Sequence, residues 1–362
     1  MSERYIVIMA GGRGERFWPL SRTNRPKHLL PVVGHEAMLR QTLDRIGNLV
    51  PKDRIMIITN REQESAIREL CPDLDAGNIV AEPIGRDTAA AVALAALVVR
   101  RKNPDATFAM LPADHVIHDQ CGFRDCLADA FRIAESSAIL ITVGVSPTHA
   151  ATGYGYIERG EALPGWEDAG AYVVRRFVEK PDQQRAESYL KQGTFYWNAG
   201  MFVWQVKAIE ASLKTHCGQL FAAMGVLSGL LDSGRSMEDA LDSVYPDLPR
   251  ISIDFAVMEK AAEVATLSAR FDWDDVGEWP AVARHCEADA AGNALVGHAL
   301  VRDGKGNLVF NDGARVTALL GVEDLIVVHT ADATLVCHKS RAQEIKAIVK
   351  ALEADVSGRA YV

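Results

Sequence analysis

Hydrophobic positions along the chain fall into short β-branched runs separated by longer stretches with helical spacing. Tyr5-Ile6-Val7-Ile8 has the length and branching of a buried strand. Met38–Ile46 predicts a helix, 54–59 (RIMIIT) a second strand, 62–70 a helix and 78–81 another short strand. The alanine-rich stretch AAAVALAALVVRR suits a helix buried against a sheet, which Asp87 or Thr88 would cap. A strand at 107–111, a helix at 122–136 and a strand at 138–145 continue the alternation. This order predicts an α/β fold with a doubly wound, mostly parallel sheet, whose ligands bind beyond the carboxyl ends of the strands.

Two glycines among aromatics at 152–157 (TGYGYI) break the alternation as a hairpin would. A strand at 172–178, a helix at 182–192, a strand-like piece at 197–202 and a helical region at 207–248 follow. Beyond about residue 290, short apolar runs separated by Gly-Asn-Asp turns predict a small β domain with a helix near 341–353. The expected division is residues 1–288 and 289–362.

Composition narrows the function. The 362 residues are 24% charged and 48% hydrophobic, an ordinary globular balance. A net charge of −9 argues against nucleic-acid binding, so anionic ligands need local cations. None of the six cysteines forms a C-x-x-C pair, the apolar run at 89–99 is too short to span a bilayer, and no secretory leader is evident. A cytoplasmic protein with reduced thiols is expected.

Candidate chemistry concentrates in MAGGRGERFWPLSRTNRPK, residues 9–27. Gly11, Gly12 and Gly14 permit close backbone approach to a ligand, and Arg13, Arg16, Arg22, Arg25 and Lys27 follow. The string lacks the Gly-Lys-Ser/Thr ending of a Walker A loop, and Phe17 stands where the dinucleotide fingerprint needs its third glycine. Strand, glycine turn and clustered cations suit a polyphosphate; read alone, the glycines fit a solvated turn equally well. The full string GGRGERFWPLSR…RPK resembles the signature of the sugar-1-phosphate nucleotidyltransferases, most closely the mannose-1-phosphate guanylyltransferases. Where that family ordinarily has Pro-Lys-Gln, this chain has Pro26-Lys27-His28.

The resemblance runs through seven ordered motifs and about 285 residues, and it implies roles the residues alone leave open. EPIGRDTA is similar to the family's guanine-selecting segment. It implies nucleotide contacts from Glu82, Pro83, Gly85, Arg86, Asp87 and Thr88, besides Ala10, Gly11, Gly12, Arg13 and Gly14. LPADH implies a metal carboxylate at Asp114, and His115 is given no chemistry. The W-x-D-x-G-x-W counterpart implies a second, assigned to Asp274 with Asp275 as the substitute. TGYGY, FVEKP and WNAGMF imply a sugar site of Gly153, Glu179 and Asn198, with Lys180 near the sugar phosphate. Adjacent Glu179 and Lys180 would alternate faces if extended, and Asn198 offers both a donor and an acceptor. Asp254, in SIDFAVMEK, is a weaker candidate explained equally well as a cap.

The family's fold implies a C-terminal domain of β-helix coils, often supporting a homodimer, and the tail is too short for an appended phosphomannose isomerase domain. The implied reaction joins GTP and mannose 1-phosphate into GDP-mannose and pyrophosphate. Mg²⁺ or another divalent ion would sit on Asp114 and Asp274, with Arg16 and Lys27 neutralising the triphosphate. Two alternatives stay open: the same chemistry on another nucleotide or hexose, and a non-catalytic subunit that binds GDP-mannose.

Overall fold

The computed structural model describes residues 3–313 and 315–362. Nine strands build the main sheet: β1 (Arg4–Ala10), β2 (Ile55–Asn60), β3 (Ile79–Glu82), β4 (Thr107–Pro112), β5 (Leu140–Val145), β6 (Tyr156–Ala162), β7 (Ala171–Val178), β8 (Phe195–Gln205) and β9 (Val264–Ser268). Their order is β3-β2-β1-β4-β8-β5-β9-β7-β6. The pairings make β1–β6 and β9 run one way and β7 and β8 the other, so the sheet is mostly parallel. β6 also pairs with β8, which closes β8, β5, β9, β7 and β6 into a ring.

Alternation in β1 shows why both faces are covered. Tyr5 and Val7 enter one core with the helix Asp87–Lys102 and the helices Val206–His216, Gly218–Asp232 and Met237–Val244. Ile6, Ile8 and Ala10 enter the opposite core with Met38–Ile46 and Gln120–Ser136. Met38–Ile46, Asp87–Lys102 and Gln120–Ser136 match the expected helices to within about two residues at each end, whereas the helical region expected at 207–248 divides into three helices.

The expected cap by Asp87 or Thr88 is not formed: Arg86 holds the N-cap position of Asp87–Lys102 and no side chain bonds there. The Asp87 carboxylate accepts from the Thr88 N–H at 2.7 Å, while the Thr88 hydroxyl instead accepts from the Ile253 N–H at 2.9 Å. That second bond ties the first turn of the helix to the SIDFAVMEK segment.

The C-terminal unit contains β10 (Ala294–Val296), β11 (Ala299–Arg302), β12 (Leu308–Asn311), β13 (Thr317–Leu320), β14 (Leu325–His329) and β15 (Thr334–His338). β10, β12 and β14 pair in parallel, as do β11 and β13, which stacks successive coils of a β-helix. Buried asparagines pin the coils. Asn293 Oδ1 accepts from the Asn307 N–H and Nδ2, each at 2.9 Å, and Asn307 Oδ1 accepts from the Leu325 N–H at 3.0 Å. The helix Ile345–Ala354 follows.

A third core joins this unit to the glycine loop. Phe17, Trp18 and Leu20 pack with Trp279, Phe310, Ile345 and Val349. Trp18 Nε1 donates to the Tyr361 carbonyl at 2.7 Å, Arg22 pairs with Asp332 at 2.8 Å, and Arg13 lies 3.7 Å from Glu353. Among the described residues no helix is long and apolar enough to cross a membrane.

Candidate active site

β1 delivers Ala10 and the glycines to the carboxyl edge of the sheet. Gly14 has φ +64°, and a Cβ there would lie 2.8 Å from Lys27 Cβ and from its backbone nitrogen, so only glycine fits. The Ser21 hydroxyl donates to the Gly14 carbonyl at 2.7 Å and holds the turn. A Cβ at Gly12 would meet nothing within 4 Å, which leaves open space beside the loop. Arg16 leaves the turn Glu15–Phe17 and donates to the Gly277 carbonyl at 3.2 Å, while its buried Nε has no partner.

Lys27 is redirected relative to its expected contact with a triphosphate. It is buried, and Nζ donates to the Asp114 carbonyl at 2.7 Å, the Asp114 carboxylate at 2.9 Å and the Asp275 carbonyl at 2.6 Å. All three ammonium donors are engaged, so Lys27 fastens the end of β4 to the acidic segment. Burial is the largest influence on the Asp114 carboxyl and would raise it, but the charge and hydrogen bond of Lys27, together with His115 and His28, outweigh it and hold the group at about 2.

Asp274, the expected second metal ligand, is not a free carboxylate. Both of its oxygens are taken: Arg284 donates to Oδ1 and Oδ2 at 2.8 Å each, His285 Nε2 lies 2.9 Å from Oδ2, and the Val276 N–H reaches Oδ1 at 2.8 Å. Burial opposes ionisation there, yet these partners hold Asp274 at about 2. Asp275 is on the Lys27 side. Its Oδ1 accepts from Tyr154 Oη at 2.8 Å and from the Gly277 N–H at 3.1 Å. Counting W-x-D-x-G-x-W from Trp273 lands on Asp275, so the signal was in the string. Among the described residues no group of three or more His, Cys, Asp or Glu could hold a metal. Two acids border Lys27, Asp114 through its carboxylate and Asp275 through its backbone carbonyl, and carboxylate oxygens are the donors a hard divalent cation takes.

His115 is buried, and its Nδ1 accepts from Trp273 Nε1 at 3.1 Å. Burial lowers the imidazole to about 4, which leaves it a neutral brace.

At the end of β3, Glu82 is buried, and a Cβ on Gly11 would come within 3.7 Å of its Oε2. Burial raises the carboxyl to about 7. The fully buried Tyr245 donates its hydroxyl to Glu82 Oε1, a partner that no motif pointed to because it lies 163 residues away. Arg86 donates to the Pro246 carbonyl, so the Pro83–Thr88 turn rests on the same helical region as Glu82. Gly85 borders open space.

Across the sheet, Glu179, Asn198 and Asp254 converge. β7 ends at Val178 and Lys180 takes φ +45°, so the two charges do not alternate faces: Lys180 Nζ pairs with Glu179 Oε1 at 2.7 Å. Gly155 is the crowded glycine, since a Cβ there would meet Glu179 Oε2 at 2.5 Å; over Gly153 the space is open. Asn198 Nδ2 donates to Asp254 Oδ1 at 2.7 Å.

A mostly parallel sheet with a glycine turn at its carboxyl edge, beside a buried lysine that holds the acid at the end of β4, is the framework of a nucleotidyltransferase. Residues 5–291 match the family described as Nucleotidyl transferase, and residues 297–352 match the MannoseP isomerase/GMP-like beta-helix domain. Mannose-1-phosphate guanylyltransferases of Klebsiella pneumoniae and Escherichia coli are each 38% identical over 349 residues, 96% of this chain and 73% of theirs. A crystal structure from Thermus thermophilus, described as a mannose-1-phosphate geranyltransferase, is 36% identical with a TM-score of 0.86. It covers 97% of this chain and 99% of its own. The chain belongs to the mannose-1-phosphate guanylyltransferase family.

Proposed function

We propose that this chain transfers GMP from GTP to mannose 1-phosphate, releasing pyrophosphate and forming GDP-mannose. The observation that carries this reading is Lys27 joining Asp114 to Asp275 beside the glycine loop. A phosphate oxygen of mannose 1-phosphate attacks the α-phosphorus of GTP in line. The bond from that phosphorus to the α–β bridging oxygen breaks, and pyrophosphate departs with the electron pair. The nucleophile is already anionic, so alignment and charge stabilisation suffice without a general base.

The amides of residues 11–14 and the Arg16 guanidinium face the triphosphate, and Glu82 accepts from guanine N–H groups. Glu179 and Asn198 hold sugar hydroxyls, and Lys180 swings from Glu179 to the sugar phosphate. Asp114 and Asp275 would hold a divalent cation, with Mg²⁺ the expected ion, which supplies positive charge to the phosphates when bound.

A homodimer is the proposed assembly. Leu300 on β11 and Leu320 on β13 stand exposed on adjacent strands of the C-terminal unit, an apolar face suited to a second copy. The cytoplasm, where nucleotide triphosphates and reduced thiols coexist, is the proposed compartment.

Pyrophosphate release from GTP, measured separately with mannose 1-phosphate and glucose 1-phosphate, with and without Mg²⁺, tests the reading. Mannose-selective, metal-dependent release supports it. No release with either sugar, despite tight GDP-mannose binding, overturns it in favour of a non-catalytic binder.

A further inference from the structure

Asn198 is less versatile than its side chain allows. Its Oδ1 accepts from the Gly200 N–H at 3.1 Å and lies 3.2 Å from the Thr142 hydroxyl, whose one hydrogen it shares with the Met201 carbonyl at 3.3 Å, so the oxygen is turned toward the protein's own donors. Its Nδ2 gives one hydrogen to Asp254 Oδ1 at 2.7 Å. The backbone N–H of Gly200 only donates and an ionised Asp254 only accepts, so the two fix which amide atom is oxygen and which is nitrogen. One N–H of Asn198 remains. The expectation of a donor and an acceptor is therefore replaced by a single donor, with the acceptors supplied by the Glu179 carboxylate seated over Gly155.

Asp254 opens the turn Asp254–Met258, and its neighbour Ile253 is bonded through its N–H to Thr88 at the head of the nucleotide-side helix. The carboxylate is thus placed by the main sheet's own helix and not by a free loop. Burial, with Glu179 and Glu259 nearby, raises it to about 6, which leaves it ionised and accepting at neutral pH and above.

We infer that Asp254 is a specificity-determining positioning residue: by fixing the Asn198 amide it makes the sugar subsite read one hydroxyl oxygen through a lone N–H donor. A hexose phosphate must then offer an acceptor oxygen to Asn198 and its donating hydroxyls to Glu179. Epimers that move one hydroxyl lose one partner while the nucleotide contacts stay intact. This inference rests on the proposed sugar 1-phosphate reaction.

The test compares Asp254→Ala and Asp254→Asn with the parent chain at pH 8. KM and kcat are measured for GTP, mannose 1-phosphate and glucose 1-phosphate, with thermal melting alongside. Asp254→Ala leaves Asn198 held through Oδ1 alone and releases its second N–H, so the subsite no longer presents one fixed donor. It is expected to raise KM for mannose 1-phosphate about tenfold and narrow the mannose-to-glucose ratio of kcat/KM by a similar factor, with KM for GTP unchanged. Asp254→Asn keeps an oxygen for Asn198 Nδ2 and is expected to restore most of that ratio. A purely structural role predicts a lower melting temperature and a fall in kcat common to both sugars, with the ratio unmoved; that result overturns the inference. If Asp254→Ala is too unstable to assay, Asp254→Ser, whose shorter side chain cannot reach Asn198 Nδ2, takes its place: a narrowed mannose-to-glucose ratio supports the inference and an unmoved ratio overturns it. If the parent itself turns over no sugar 1-phosphate, both the functional reading and this inference fail together.

Discussion

Lys27 Nζ lies 2.6 Å from the Asp275 carbonyl, 248 residues further along the chain, and 2.9 Å from the Asp114 carboxylate. One buried ammonium thereby sets the separation of the two segments that carry the acidic pair. Replacing it with a neutral side chain of similar length leaves carbonyl and carboxylate acceptors unpaired. Lys27→Met is expected to cost about 2 kcal/mol in chemical denaturation, less than a fully buried pair because the Asp114 side chain is 39% exposed. Its turnover should fall about 10²-fold or more, read by pyrophosphate release.

The two neighbouring acids of the tryptophan-rich segment are expected to separate cleanly. Asp275→Asn should lower metal-dependent turnover about 10²–10³-fold while the fold persists. Asp274→Asn breaks the pair with Arg284 and His285. It should cost about 1–2 kcal/mol of stability and leave turnover within about threefold of the parent. Magnesium titrations of both purified variants check the assignment; a larger kinetic loss at Asp274 would reverse it.

Glu82 is expected to make nucleotide affinity pH-dependent. Its carboxyl titrates near 7 in the folded chain against an ordinary 4.5, so protonation below about pH 7 removes the acceptor and KM for GTP should rise. Glu82→Gln should raise KM at every pH and flatten this dependence. The Tyr245 hydroxyl bond stabilises the ionised form, so Tyr245→Phe should move the titration further up. Stability carries the opposite slope. Between 4.5 and 7 the folded state binds the extra proton, so this group stabilises the fold at the acidic end and the contribution is lost as pH rises through 7. Glu82→Gln lacks that slope in melting curves taken across the window.

Asn307 carries a separate stability prediction. Asn307→Ala removes the partner of the Asn293 amide oxygen, the Val322 carbonyl and the Leu325 N–H. A loss of about 2–3 kcal/mol is expected in thermal denaturation, most of it the cost of buried groups left unpaired. Melting indistinguishable from the parent would mean that water replaces the ladder.

Much of this arrangement was legible in the sequence, because periodicity reports burial. Strand β1 alternates between two cores, and the helices at 38–46 and 87–102 lie where their apolar spacing put them. The glycine loop and the positions of Asp114, Glu179 and Asn198 followed from ordered motifs. What stayed hidden depends on which way a side chain turns. Asp274 and Asp275 are adjacent acids, and only the partners Arg284, His285 and Tyr154 separate their environments. Lys180 left the expected alternation because its backbone enters the left-handed region, which no residue type at that position announces. Tyr245 and Asp254 reach the site from helical segments whose residues read equally well as core or cap.

The ties from Trp18, Arg22 and Arg13 to the C-terminal unit have a thermodynamic consequence for substrate capture. A glycine-rich loop standing alone would sample many backbone states, and GTP would have to select one of them at the expense of affinity. Here the β-helix coils and the helix Ile345–Ala354 remove that freedom while the chain folds, long before any nucleotide arrives. The distant coils thus act on the reaction as an entropy reservoir. Loosening them is expected to weaken GTP binding through the loop's freedom alone.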